Sequence, residues 1–340
     1  MAKHKPINFH IKGIFYEHDD HKFQKKHFSS VLSLVKFGLY SNFFYYLCIG
    51  YVYLYMIAHL TNTKKRIMSK AKVLFIAQEM MPYMPENELA KTCRELPQGI
   101  QERGHEIRVF MPKYGNINER RNQLHEVKRL SGMNLIIDDT DHPLIIKVAS
   151  IQSARMQIYF TDNDDYFQRH IGEVIDEANR EDNDERSIFF VRSVMETVKN
   201  FRWEPDIIHC HGWLSSLAPI FTKKSYADDP CFRNSKIVVS LYDNKFTRPF
   251  DARFAEKIIF RNITPADIPF APGEEIDFIT LNKFAIDYAD GVIAGSENVD
   301  QSLIDYAKEK GKLFLPYQPE DTRNDAIDQF YEQVWNNNNQ

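Results

Sequence analysis

KVLFIAQEMMPYMPENELAKTCRELPQGIQERGHEIRVFMPKYG, residues 72 to 115, decides the fold. VLFIA (73 to 77) is a short unbroken apolar run, the pattern of a parallel strand covered on both faces. Leu89, Cys93, Leu96 and Ile100 recur at helical spacing, Gly104 ends the helix, and IRVFM (107 to 111) is a second strand. Strand, loop, helix and strand in this order make a parallel βαβ unit, whose first loop lies at the ligand-binding end of the sheet. Glycines in such a loop let the backbone approach a phosphate or a sugar. Here the loop is PYMPENE (82 to 88), with no glycine and with two carboxylates, Glu86 and Glu88.

The alternation continues downstream. VKRL, LIID, LIIKVAS and MQIYF, between 127 and 160, predict shorter strands with turns at Gly132, Asp138 to Asp141 and Ser153. Asp162 to Glu185 is acidic and reads as a surface loop, and Ile188, Val191, Met195 and Val198 mark an amphipathic helix. DIIHC (206 to 210), KIVVSLY (236 to 242), GVIAG (291 to 295) and LFLPY (313 to 317) are strands. Helices are expected over 214–227, 251–261, 277–289, 302–310 and 326–335. This succession predicts an α/β fold with a doubly wound, mostly parallel sheet. No internal repeat or dividing linker interrupts it, so residues 68–336 read as one domain, followed by a disordered polar tail at 337–340.

At 340 residues, 43% hydrophobic and 26% charged, the chain can bury a sizeable core. Its net charge of −4 hides an asymmetry: residues 1 to 67 carry ten Lys/Arg against three Asp/Glu, leaving thirty-three against forty-four for the rest. So acidic a body argues against a nucleic-acid-binding surface. Cys48, Cys93, Cys210 and Cys231 show no CxxC pairing, which indicates neither a zinc ribbon nor a disulfide framework and points to a reducing cytoplasm. No cofactor and no metal is expected. His18, Asp19, Asp20 and His21 lack further ligands at metal-binding spacing and read as a solvated loop.

Residues 1–67 admit two readings. Phe37 to Leu60 has no Asp, Glu, Lys or Arg and is long enough to span a bilayer, and Lys64, Lys65 and Arg66 would keep the downstream domain in the cytoplasm. On this reading the protein is tethered to an inner membrane. Tyrosines at 40, 45, 46, 51, 53 and 55 sit poorly in that role, and Met68 opens MSKAKVLFIA as a natural start would. On the second reading the extension is translated upstream of the working protein.

Several stretches resemble, in order, the N-terminal half of bacterial glycogen and starch synthases, and especially the short synthase-like proteins of the Bacteroides group. KVLFIAQEMMPY resembles the family's opening strand and loop, and LPQGIQERGHEIRVFMPKYG its LPxALxxxGHxVRVxxPxYG segment. DNDER (182 to 186) resembles DNxxRF, PDIIHCHGW (205 to 213) resembles PDVVHxHDW, and LNKFAIDYADGVIAGS (281 to 296) resembles LKxGxxYADxVxxVS. The resemblance covers roughly residues 71 to 317. It implies the GT-B fold, of which this chain carries one Rossmann-like half. It also implies retaining transfer of glucose from ADP-glucose to an α-1,4-glucan.

The same resemblance assigns candidate residues. His211 matches the histidine that contacts the donor glucose, with His209 sharing its strand face. Asp182, Asn183 and Arg186 keep the family's polar pattern, as does Lys283. Where the family has Lys-Thr-Gly-Gly-Leu-Ala-Asp at the sugar nucleotide, this chain has Pro85 to Lys91, PENELAK, in which Lys91 is placed to reach back. Two carboxylates there would repel a diphosphate. Read from the residues alone, two alternatives remain: a structural histidine bonded to backbone, or a metal pair, for which spacing places no third ligand. Two functions follow: a synthase domain with His211 at the donor glucose, or a non-catalytic glucan-binding or regulatory subunit. A GT-B synthase also uses a second Rossmann-like domain for its phosphates, which a partner chain would supply. The last helix would then pack where a GT-B chain's final helix returns to its first domain.

Overall fold

The computed structural model describes residues 70–168, 177–271 and 273–337. The extension, including Phe37 to Leu60 and the His18 to His21 loop, lies outside them. Among the described residues no helix is long and apolar enough to cross a membrane.

Ten strands make the sheet: β1 Lys72–Ala77, β2 Glu106–Pro112, β3 His125–Glu126, β4 Met133–Ile137, β5 Thr140–Ile151, β6 Met156–Asp162, β7 Ile207–His211, β8 Lys236–Leu241, β9 Gly291–Ala294 and β10 Leu313–Leu315. Their order is β10-β9-β8-β7-β1-β2-β6-β5-β3, with β4 paired to β5. From β10 to β6 every neighbouring pair is parallel, and β3, β4 and β5 add an antiparallel edge. The expected doubly wound, mostly parallel sheet is therefore present. The chain builds outward from β1 through β2 to β6, then returns to start β7 on the other side of β1. The order reverses between β1 and β7, where open α/β sheets leave a ligand crevice at the strands' carboxyl ends.

The principal helices are α1 Glu88–Glu102, α2 Asn183–Phe201, α3 Phe278–Tyr288, α4 Gln301–Glu309 and α5 Glu320–Asn336. α1 begins where Asn87 Oδ1 accepts from Ala90 N at 2.7 Å, an N-cap with Glu88 in the first turn. α5 packs on α1 at Gly99, where an added Cβ would lie 2.3 Å from Asn324. It also crosses β9, where a Cβ on Gly291 would meet Val334 Cγ2 at 2.7 Å and Phe330 Cε1 at 2.9 Å. Gly291→Ala is therefore expected to cost about 2 kcal/mol through overpacking. Urea midpoints check this, and an unchanged midpoint would mean that α5 gives way freely.

The structure corrects several sequence expectations. VKRL is a turn, closed by Leu130 N and Ser131 N donating to Val127 O. The helix expected over 214–227 is broken into a 3-10 turn at Trp213–Ser215, a short α turn at Ala218–Ile220 and a wide π turn at Phe221–Ser225. Ser215 bonds back to Gly212 O and Pro219 has no N–H to give, so neither supports a regular helix there. Only Phe254–Lys257 of the 251–261 helix forms. Within the expected acidic loop, Asp162 belongs to β6, and Asn163, Tyr166 and Phe167 are buried. LFLPY stops at Leu315 before Pro316, and the closing helix starts six residues earlier than its apolar spacing suggested, at Glu320. Asn337 of the polar tail takes part in bonds, its carbonyl accepting from Lys236 Nζ at 3.2 Å.

Candidate functional site

Ala77 at the end of β1 is in register with His211 at the end of β7, so the switch point lies between them. Beyond β1 the backbone of Gln78 donates to His211 O at 3.0 Å. Its side chain lies across Gly212, whose φ is +81° and whose added Cβ would stand 2.6 Å from Gln78 Oε1. Only glycine satisfies both conditions. Gln78 Oε1 then accepts from Leu214 N and from Asn244 Nδ2, each at 3.2 Å. A single amide thus ties together the loops that follow β1, β7 and β8.

His209 and His211 share one strand face and are fully buried, their ring centroids 3.9 Å apart with Phe75 beside both. His209 uses both nitrogens: Nδ1 lies 2.6 Å from Tyr331 Oη on α5 and Nε2 lies 2.8 Å from Ser240 Oγ on β8. The Tyr242 phenol lies 2.9 Å from His211 Nδ1. His211 Nε2 is buried and without a hydrogen-bond partner among the described residues. In this bonding three of the four ring nitrogens are committed to side-chain hydroxyls, and the two rings share a single uncommitted nitrogen.

The face has other unmet polar atoms. Trp213 Nε1 follows β7, Asn244 Oδ1 follows β8 and Ser296 Oγ follows β9, all buried and unpartnered among the described residues. Unmet donors and acceptors at the carboxyl ends of neighbouring strands suit a ligand with many hydroxyls, since a buried polar group without a partner costs about 1–3 kcal/mol.

Burial holds both imidazoles neutral. It drives His211 down to about 3, helped by the nearby Arg323 charge, and pushes His209 well below the ordinary range, helped by His211. These folded values are depressed, so the stability they confer is present above the unfolded pKa of about 6.5 and is lost as pH falls. For His211 the loss runs from about pH 6.5 to about 3, at about 1.4 kcal/mol per pH unit. Urea midpoints are expected to fall steeply between about pH 6 and about pH 4.5, and His211→Asn to flatten the slope. A midpoint constant across that window contradicts the buried neutral pair.

The lip is acidic. Asn87 Nδ2 donates to Glu79 Oε2 at 2.6 Å. Burial pushes the Glu88 carboxyl up, against the pull of the Tyr317 hydroxyl, and Asp243 and Glu297 add to the rise. The sequence-predicted residues fall into three groups. His209 and His211 are together at the switch point. Asp182, Asn183 and Arg186 gather at the start of α2. There Arg180 clamps Asp182 at 2.7 and 2.8 Å, and Asn183 Nδ2 donates to Ala178 O at 3.0 Å. The fully buried Arg186 donates to Tyr166 O at 2.9 Å and to Asn183 Oδ1 at 2.7 Å. Lys91 and Lys283 stand apart: Lys91 pairs with Glu320 of α5 at 2.5 Å, and Lys283 Nζ lies 5.2 Å from the Tyr306 ring centre.

Sequence reasoning missed Gln78, Ser240, Tyr242 and Tyr331. Register could have found Ser240, which pairs with His211 across β7 and β8, and alternation could then have found Tyr242. No local pattern ties Tyr331 to His209, 122 positions away.

A family model described as the starch synthase catalytic domain matches residues 72–313. A glycogen synthase of Pelodictyon phaeoclathratiforme is 38% identical over 238 residues, covering 68% of this chain and 47% of the relative. A glycogen synthase of Chlorobium limicola is 33% identical over 223 residues, covering 64% and 44%. The chain thus spans slightly less than half the length of these relatives. The solved catalytic domain of Arabidopsis thaliana starch synthase IV, bound to ADP and acarbose, superposes with a TM-score of 0.60 at 18% identity, covering 75% of this chain and 53% of that one. It shares the fold. With residues 72–313 matched by the family model, the chain belongs to the starch synthase catalytic domain family.

Proposed function

We propose that this chain forms the sugar-facing wall of a glucosyltransferase site that passes glucose from ADP-glucose to the end of an α-1,4-glucan. The observation that carries this reading is His211, fixed from behind by Tyr242 with its outer nitrogen unmet at the switch point. A neutral imidazole there bonds a glucose hydroxyl without adding charge. Groups that neutralise a departing diphosphate would come from outside the described residues, in a further domain or a partner chain. The Arabidopsis catalytic domain binds both ADP and acarbose, a nucleotide and an oligosaccharide. Free thiols at Cys93, Cys210 and Cys231 suit a cytoplasmic setting.

A second reading, a glucan-binding subunit without transfer, is favoured by the lip. Glu88 lies near Asp243 and Glu297, and Lys91 is committed to Glu320. The test is glucose incorporation from ADP-glucose into maltoheptaose by the full chain, before and after Pro85→Lys with Glu88→Gly. Transfer that rises with the basic, glycine-bearing lip supports the synthase reading. Maltoheptaose binding without transfer in either protein supports the subunit reading. Neither binding nor transfer sinks both.

A further inference from the structure

We propose that Tyr242 and, behind it, Tyr331 donate one-way hydrogen bonds that hold His211 and His209 as their Nε2–H tautomers, making His211 a fixed donor toward the ligand. The inference rests on the reading of His211 as the ligand-facing group. Tyr331 belongs to α5, beyond the region matched by the family model.

Proton counting gives the direction. Burial pushes both phenols up and both imidazoles down, so each of the five groups holds a single proton at neutral pH. Two protons serve the link Tyr242 to His211, and three serve the links Tyr331 to His209 and His209 to Ser240, leaving one proton at an end of each row. Tyr331 is fully buried with His209 as its hydrogen-bond partner, and Tyr242 is buried with His211 as its partner. A proton stranded on either phenol costs the full penalty of a buried unsatisfied donor, with no ligand to relieve it. The His211 end borders the switch point, where a sugar oxygen can accept. Tyr242 therefore donates to His211 Nδ1, which leaves the His211 proton on Nε2, and Tyr331 donates to His209 Nδ1, so that His209 Nε2–H donates to Ser240.

Two consequences follow. His211 selects ligands that present an acceptor, such as a sugar hydroxyl or ring oxygen. Tyr242 is the positioning residue of His211, and Tyr331 on α5 positions the His209 ring that packs beside it. α5 is held to α1 by Lys91–Glu320, Glu95–Arg323 and Arg103–Asp325, with His105 Nε2 2.8 Å from Asp328.

The experiment is long-range ¹H–¹⁵N correlation on the histidine-labelled full chain near neutral pH. Both rings are expected as Nε2–H tautomers, with each Nδ1 resonance displaced upfield by an accepted hydrogen bond. Tyr242→Phe should remove that displacement from His211, and Tyr331→Phe should remove it from His209, each variant keeping its fold by circular dichroism. His211 found protonated at Nδ1, or Nδ1 positions that neither substitution moves, overturns the proposal. Failure of maltoheptaose to bind would defeat the functional reading, while the spectrum would still decide the two tautomers.

Discussion

Alanine at position 211 is expected to weaken maltoheptaose binding roughly tenfold or more, and to cut glucosyl transfer about a hundredfold wherever transfer is measurable. The wild-type ring brings to the ligand an Nε2 that has no protein partner among the described residues. Truncation loses the ligand bond and strands the Tyr242 phenol, which bonds His211 Nδ1 at 2.9 Å. His211→Asn separates chemistry from volume, since it fills part of the space yet presents its donor elsewhere. Titration calorimetry with maltoheptaose checks both variants. Affinity equal to the parent's would remove His211 from the site.

Lys257→Met is expected to destabilise the fold by about 3–5 kcal/mol, a larger effect than any surface pair would give. Lys257 Nζ lies 2.7 Å from Asp184 and 2.8 Å from Glu185, with side-chain exposures of 7% for the lysine and 1% for Asp184. Burial already pushes the Asp184 carboxyl up, and Lys257 is the first of the groups pulling it back. Without the ammonium it rises further. A carboxyl with a raised folded pKa takes up a proton on folding, so the stability it retains is present at low pH and is lost as pH rises. The loss in Lys257→Met should therefore be smaller near pH 5 than near pH 8, read from urea midpoints. A loss independent of pH would mean that Asp184 finds another partner.

Much of the architecture was legible because apolar runs such as VLFIA and DIIHC in a parallel sheet are covered on both faces and carry no competing pattern. Reading failed where chain geometry is set by tertiary bonds. Trp213 to Ser225 is as apolar as a helix, but Pro219 and Ser215, whose hydroxyl bonds back to Gly212 O, break its ladder. VKRL has strand-forming ends, yet Val127 O receives two turn bonds.

The site was half legible. His209 and His211 could be placed on one face from their spacing, and the acidic lip from PENE. That His209 is fully committed, and His211 not, depends on Ser240 from the next strand and Tyr331 from the last helix. Asn87 shows why PENE has the residues it does: it caps α1 and bonds Glu79, so the loop is built to start a helix as well as to border a site. Lys91 could be expected to reach toward that loop from sequence alone, but in the fold Glu320 of α5 takes its ammonium.

The most direct test of the sugar-facing wall is calorimetry of the full chain with maltoheptaose and, separately, with ADP-glucose. The unmet donors and acceptors at the switch point predict heat from maltoheptaose that His211→Ala diminishes, and the acidic lip predicts ADP-glucose binding weaker than about 1 mM. Tight ADP-glucose binding with no heat from the glucan would contradict the account, because this face would then hold the diphosphate its carboxylates are expected to repel.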